Sequence, residues 1–135
     1  MTATSPLAAS ALVALGGAVG SLARYQTGRG LTRLLGPQAV STFPWATLTV
    51  NVVGSLAMGL LAGWLARHGT GGETWRLLVG VDLLGGFTTF SAFSLELMLL
   101  IERGQGSTAF VYAAVSLLAG LSALYIGLIV MRVTA

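Results

Sequence analysis

Residues 85–96 read GGFTTFSAFSLE, and the reading of this stretch decides the fold. It sits inside a long apolar run, about 77–101, that otherwise suits a membrane helix. Adjacent glycines lose the most backbone entropy on entering a helix, and Thr and Ser hydroxyls compete for its backbone partners. The helix is therefore expected to break near Gly85–Thr89. A break at membrane depth frees carbonyl and amide groups, which must be buried in protein or face water or an ion. Freed carbonyl oxygens suit a hard monovalent cation such as Na⁺; the freed N-terminus of a half-helix suits an anion. If helix resumes after the break, Phe90 and Phe93 share a face. A ring has a positive edge, so an anion can rest against it without a full charge and leave again. On spacing alone, ordinary packing is the simpler account of the two rings.

Outside this stretch, composition points the same way. The chain has 135 residues, of which 55% are hydrophobic and 8% charged. A soluble domain carries about 25% charged residues. An all-α integral membrane protein is expected, as a single domain over 1–135 with four transmembrane helices at about 7–26, 43–66, 77–101 and 108–131. Crossing a bilayer takes about 20 apolar residues. Gly36-Pro37 and Pro44, the 69–72 Gly-Thr-Gly-Gly run, and Gly104 with Gly106 mark the connections. No Lys or Arg precedes the first span, so it does not read as a signal peptide. All seven basic residues are scattered arginines, which speaks against nucleic acid as a partner. There is no cysteine, and His68 is the only histidine, so thiol chemistry and a histidine metal cluster are excluded. No nucleophile–base arrangement, phosphate loop or metal motif is present, and an enzyme is not expected.

Four spans put both termini and the second connection on one side. That side carries Arg67, Arg76 and Arg132; the other carries Arg24, Arg29, Arg33 and Arg103. The near balance gives little positive-inside bias. Either a subtler signal sets one orientation, or the chain inserts both ways and forms an antiparallel dimer. Small-residue spacing at Gly16/Gly20 and Ser55/Gly59/Gly63 permits close helix packing, within a subunit or between two.

Polar side chains in hydrocarbon face a partner or a water path. Thr47, Asn51 and Ser55 recur every four residues on the second helix, as Tyr112 and Ser116 do on the fourth. Such rows either hydrate an ion or hydrogen-bond between helices. Arg24, at the end of the first apolar run, either snorkels to the interface or draws an anion to a vestibule. Asp82 and Glu96 lie 14 positions apart, which on one straight helix is about 21 Å, too far for a carboxylate pair.

The motif GGFTTFSAFSLE resembles the signature of the Fluc-type (CrcB-like) fluoride ion channels. GGAVGSLARY (16–25) is similar to that family's first-helix motif, and TLTVNVVGSLAMG (47–59) to its Asn-centred second-helix motif. The resemblance covers nearly the whole chain. It implies an antiparallel dual-topology homodimer in the cell membrane, passing fluoride through two pores. By the same resemblance Phe90 and Phe93 are pore phenylalanines and Asn51 the pore asparagine. Thr47, Ser91, Glu96, Tyr112 and Ser116 match positions on or near the polar track, and Arg24 sits by the vestibule. A structural Na⁺ at the dimer centre is implied, held by the backbone carbonyls of Gly85 and Thr88. Two positions depart from the pattern: Ala92 stands where a hydroxyl is usual, and Asp82 where a small residue is usual. Two other readings are a proton-coupled exporter using Asp82 or Glu96 and a non-conducting packing subunit; a half-subunit of a heterodimeric fluoride channel is a variant of the first.

Overall fold

The computed structural model describes residues 5–68 and 82–133, all of it helix and connections. Helix α1 spans Pro6–Leu35, α2 Pro37–Thr42, α3 Trp45–His68, α4 Gly85–Phe87, α5 Phe90–Glu102 and α6 Gly106–Val133. Residues 82–84 form a π-helical turn leading into α4. Among the described residues, four stretches are long and apolar enough to cross a bilayer: Pro6–Leu35, Trp45–Arg67, Asp82–Glu102 and Gly106–Val133. The start of the expected third span, 77–81, lies outside the described residues, as does Arg76.

Helix α1 starts on a Ser5 cap, whose hydroxyl accepts from the Ala8 amide at 3.3 Å, with Pro6 in the first turn. The helix runs well past the expected end near residue 26. Apolar length marks where hydrocarbon ends, whereas the helix ends only where the backbone stops it. Arginine is a good helix former, and the stop comes at Gly36, at φ 85°, followed by Pro37. Positive φ favours glycine, and proline cannot continue the helix. Helix α2 is a further departure from the sequence reading, in which 37–42 was connection.

The closest packing joins α3 and α6, which run parallel. A Cβ on Gly59 would collide with the Leu124 carbonyl, one on Gly127 would lie 2.5 Å from the Leu56 carbonyl, and one on Gly63 would lie 2.7 Å from Met131 Cβ. Ser55 faces Gly120 in the same seam. The α1 helix packs on the broken third span in the same way: Gly20 meets the backbone of Leu83, Gly86 and Phe87, and Gly86 meets Gly17. The small-residue spacing seen in sequence therefore serves contacts within one chain. Much of the remaining apolar surface is uncovered, including Leu15, Val19, Leu117, Leu118 and Leu121. Lipid or another chain must take up such a surface, because water cannot do so cheaply.

Candidate functional site

The third span breaks at Thr88 and Thr89, within the expected interval. Both are extended, at φ −81°, ψ 161° and φ −154°, ψ 118°. The Thr88 amide and hydroxyl both donate to the Leu84 carbonyl at 2.9 Å, closing the first half. Thr89 opens the second half as N-cap of α5, its hydroxyl accepting from the Ala92 amide at 3.2 Å.

Asn51 holds the gap open. Its Nδ2 donates to the Thr89 carbonyl at 3.1 Å, and its Oδ1 accepts from the Thr89 amide at 2.8 Å. In a continuous helix the Thr89 amide would donate to the Gly85 carbonyl, four residues back. The Asn51 side chain diverts it, so the Gly85 carbonyl loses its helical donor. An asparagine amide carries two N–H donors, so one of them is left over beside the break.

Arg24 reaches the same place. Its Nη1 donates to the Thr88 carbonyl at 3.4 Å, and the residue is half-buried. It is thus tied to the break. The break therefore presents two kinds of group together. Carbonyls of Gly85 and Thr88 lack helical donors, which fits a monovalent cation; Thr88 shares its oxygen with Arg24 at long range, and a carbonyl has two lone pairs. On the other side, the first amides of α5 point out of a helix of 13 residues, which favours an anion.

The rings stand on that first turn of α5. Phe90 and Phe93 have centroids 5.8 Å apart, inclined at 36°. Phe90 is 80% exposed, while Phe93 packs on Tyr112 at 5.2 Å. Phe43 meets Tyr112 edge-on at 5.5 Å, which extends the aromatic row. The Ser91 hydroxyl lies 3.3 Å from that of Thr89.

One turn further along α5, Glu96 is clamped from two other helices. Thr47 donates to its Oε1 and Tyr112 to its Oε2, each at 2.8 Å. Tyr112 is fully buried and Thr47 nearly so. Four residues on from Tyr112, the Ser116 hydroxyl is buried without a hydrogen-bond partner. A cavity of about 240 Å³ reaches Glu96, with Phe43 and Arg103 on its wall. A second, of about 280 Å³, is lined by Asn51, Ser55, Thr89 and Phe90. Sequence reasoning missed Phe43 and Arg103. Each looked like the terminus of a span, with no spacing to tie it to Glu96.

The expected site residues other than Ser116 thus fall into one connected set. Thr47, Glu96 and Tyr112 form one knot; Phe93 joins it to Phe90; and Asn51, Arg24, Gly85, Thr88 and Ser91 surround the break. Ser55 lies between path and packing, lining the second cavity while touching Gly120. Asp82, 3% exposed, has no hydrogen bond to either carboxylate oxygen among the described residues.

Comparison with known proteins gives the arrangement a context. The chain is 56% identical to a protein of Novosphingobium aromaticivorans named fluoride-specific ion channel FluC, across 93% of this chain and 98% of that one. A protein of the same name from Erythrobacter litoralis is 52% identical over the full length of both. One from Caulobacter vibrioides is 54% identical over 90% of this chain and 93% of its own. Residues 11–128 match the family described as CrcB-like protein, Camphor Resistance (CrcB). Four apolar helices, a braced break in the third and this extent of likeness lead to one assignment: the chain belongs to the CrcB-like family.

Proposed function

We propose that this chain is a fluoride-selective channel, a multi-pass protein of a bacterial membrane that lets F⁻ leave the cytoplasm passively. The observation that carries the reading is the braced break. Asn51 holds Thr89 so that the α5 N-terminus and the edges of Phe90 and Phe93 serve one path. Relatives of the same length bear the name of such a channel, and those are not enzyme names.

Each step follows from groups already described. Arg103, on the wall of the cavity above Glu96, raises the local anion concentration. The positive end of α5 and the ring edges replace part of the hydration shell of a small anion. The leftover Asn51 N–H and the unpartnered Ser116 hydroxyl are donors for it. None is a full opposing charge, so the ion is held weakly enough to leave. A membrane potential supplies about 2.3 kcal/mol per charge per 100 mV, and no fuel is required. Chloride is larger and gains less from closely set donors, which gives the selectivity.

The functional unit is an antiparallel homodimer. Three features support this: the near-even arginine split, a Phe90 ring left 80% exposed, and an exposed Gly85 beside it. A two-fold axis in the membrane plane would place the break at mid-bilayer. Carbonyls of Gly85 and Thr88 from both copies would then hold a structural Na⁺, which supplies positive charge at the dimer centre.

The test is fluoride efflux from liposomes reconstituted with this chain alone, started by collapsing the potential with a potassium ionophore. Rapid efflux of fluoride but not chloride is expected, with strong loss in Phe90→Ile and in Phe93→Ile. If both variants conduct as the parent does, the ring-edge mechanism is wrong. If well-folded protein passes no fluoride by itself, the homodimer is wrong and a second subunit is required.

A further inference from the structure

Beyond Arg24, α1 takes no part in the path described above. Gly20 packs on Leu83, Gly86 and Phe87, which lead directly into the break, so the two lie at about one depth. Counting along α1 at 1.5 Å per residue, Arg29 lies about 14 Å and Arg33 about 20 Å beyond Gly20. Half the hydrocarbon thickness is about 15 Å. With the break at mid-bilayer (the one point at which this inference rests on the proposed function), Arg29 stands at the hydrocarbon edge and Arg33 among the headgroups. Both are exposed, and they are one turn apart on a single face, where like charges repel.

A groove follows this face, lined by Arg24, Tyr25, Gly28, Arg29, Thr32 and Arg33. Among the described residues, no carboxylate lines it. The Arg29 guanidinium lies over the Tyr25 ring, 5.8 Å from its centroid, and Arg24 is already tied to Thr88. Among the described residues, neither Arg29 nor Arg33 has a hydrogen bond or ion pair to a carboxylate. Leu22, Tyr25 and Leu34 on the same helix are 58%, 61% and 82% exposed.

We propose that this groove binds the phosphate of an anionic phospholipid. A guanidinium fork matches phosphate in a two-pronged contact. The Tyr25 ring holds the Arg29 guanidinium by a cation–π contact and leaves its N–H donors for the phosphate. Leu22, exposed on the same helix and on the mid-bilayer side of the two arginines, can take an acyl chain. A free anion in water would gain the charge contact but nothing from that apolar flank, which is why a lipid is the occupant.

The experiment uses the full chain in bilayers of phosphatidylcholine mixed with phosphatidylglycerol. Protein is extracted gently, and the lipid retained is identified by mass spectrometry. Parent, R29Q/R33Q and R29K/R33K are compared, with R33Q alone as a milder change that leaves the Tyr25–Arg29 contact intact. A basic residue near an anionic surface contributes about fivefold, so the parent should prefer phosphatidylglycerol by up to roughly twenty-five-fold. R29Q/R33Q should fall close to parity, R33Q should lie between, and R29K/R33K should keep part of the preference. Equal preference in parent and R29Q/R33Q overturns the proposal. So does displacement of the lipid by inorganic phosphate, which would make the occupant a free anion. Loss of the dimer in R29Q/R33Q would give the face to a second copy and overturn it too. Fluoride efflux is measured in the same preparations and should persist in R29Q/R33Q. Absence of efflux from the parent would count against the fluoride reading, while the lipid preference would still be read directly.

Discussion

Asn51→Ala is the sharpest perturbation of the break. The side chain makes two hydrogen bonds, both to the backbone of Thr89, at 3.1 and 2.8 Å. Truncation leaves the Thr89 N–H without a protein partner, while the Thr89 carbonyl, at the N-cap, keeps the first intrahelical bond of α5. The unsatisfied amide costs about 1–3 kcal/mol, and the bond lost from the carbonyl adds about 0.5–1.5 kcal/mol. Water in the cavity beside Asn51 and Thr89 offsets some of that, which favours the lower end. Even 2 kcal/mol shifts a two-state equilibrium by roughly thirtyfold. The Thr89 amide would be free to return to the Gly85 carbonyl, closing the break into continuous helix and turning Phe90 off the path. We expect a clear drop in thermal stability and a loss of fluoride efflux of at least one order of magnitude. Asn51→Asp separates the two bonds. It can still accept from the Thr89 amide but puts a second acceptor against the Thr89 carbonyl, so it should be no better than Ala. Unfolding and efflux assays on the same purified samples check both variants. An Asn51→Ala protein that melts and conducts like the parent would refute the bracing argument.

Three further outcomes follow from the packing. Gly127→Ala drives a methyl group into the Leu56 carbonyl, 2.5 Å away, and should cost about 1–3 kcal/mol in unfolding, whereas Gly17→Ala, whose added methyl meets nothing within 4 Å, should be tolerated. Tyr112→Phe removes the hydroxyl that donates to Glu96 Oε2 at 2.8 Å; about 1.5–3 kcal/mol of stability should be lost, with Thr47 still holding the other oxygen, as chemical unfolding can test. Asp82→Asn replaces a buried carboxylate that has no hydrogen-bond partner; it should leave stability unchanged or raise it, and a destabilised variant would mean that the charge is compensated.

Much of the architecture was legible in the chain itself, for reasons that are local. Hydrophobic length alone marks the spans, because hydrocarbon accepts few charged residues. The position of the break was legible because Gly85-Gly86 and the neighbouring hydroxyls weaken helix wherever they stand. Helix ends were less legible. The α1 helix continues through Arg24, Arg29 and Arg33 to Gly36, since arginine ends an apolar run without ending a helix. Rows at a spacing of four showed which polar side chains share a face, but not what they touch: Thr47 meets a carboxylate, Asn51 a backbone, and Ser55 a neighbouring helix.

The site divides along the same line. The sequence by itself determined the membrane setting, the weak point in the third span and the stock of polar and aromatic groups, because composition and local backbone preference act over a few residues. Only the tertiary structure decided that Asn51 grips Thr89, 38 positions away, that Thr47 and Tyr112 close on Glu96 from 49 and 16 positions away, and that Arg24 crosses to the Thr88 carbonyl, 64 positions away. Those partners are chosen by how the helices pack. The packing in turn depends on where glycines such as Gly20, Gly59 and Gly127 let backbones approach, and no local propensity encodes that choice of neighbour.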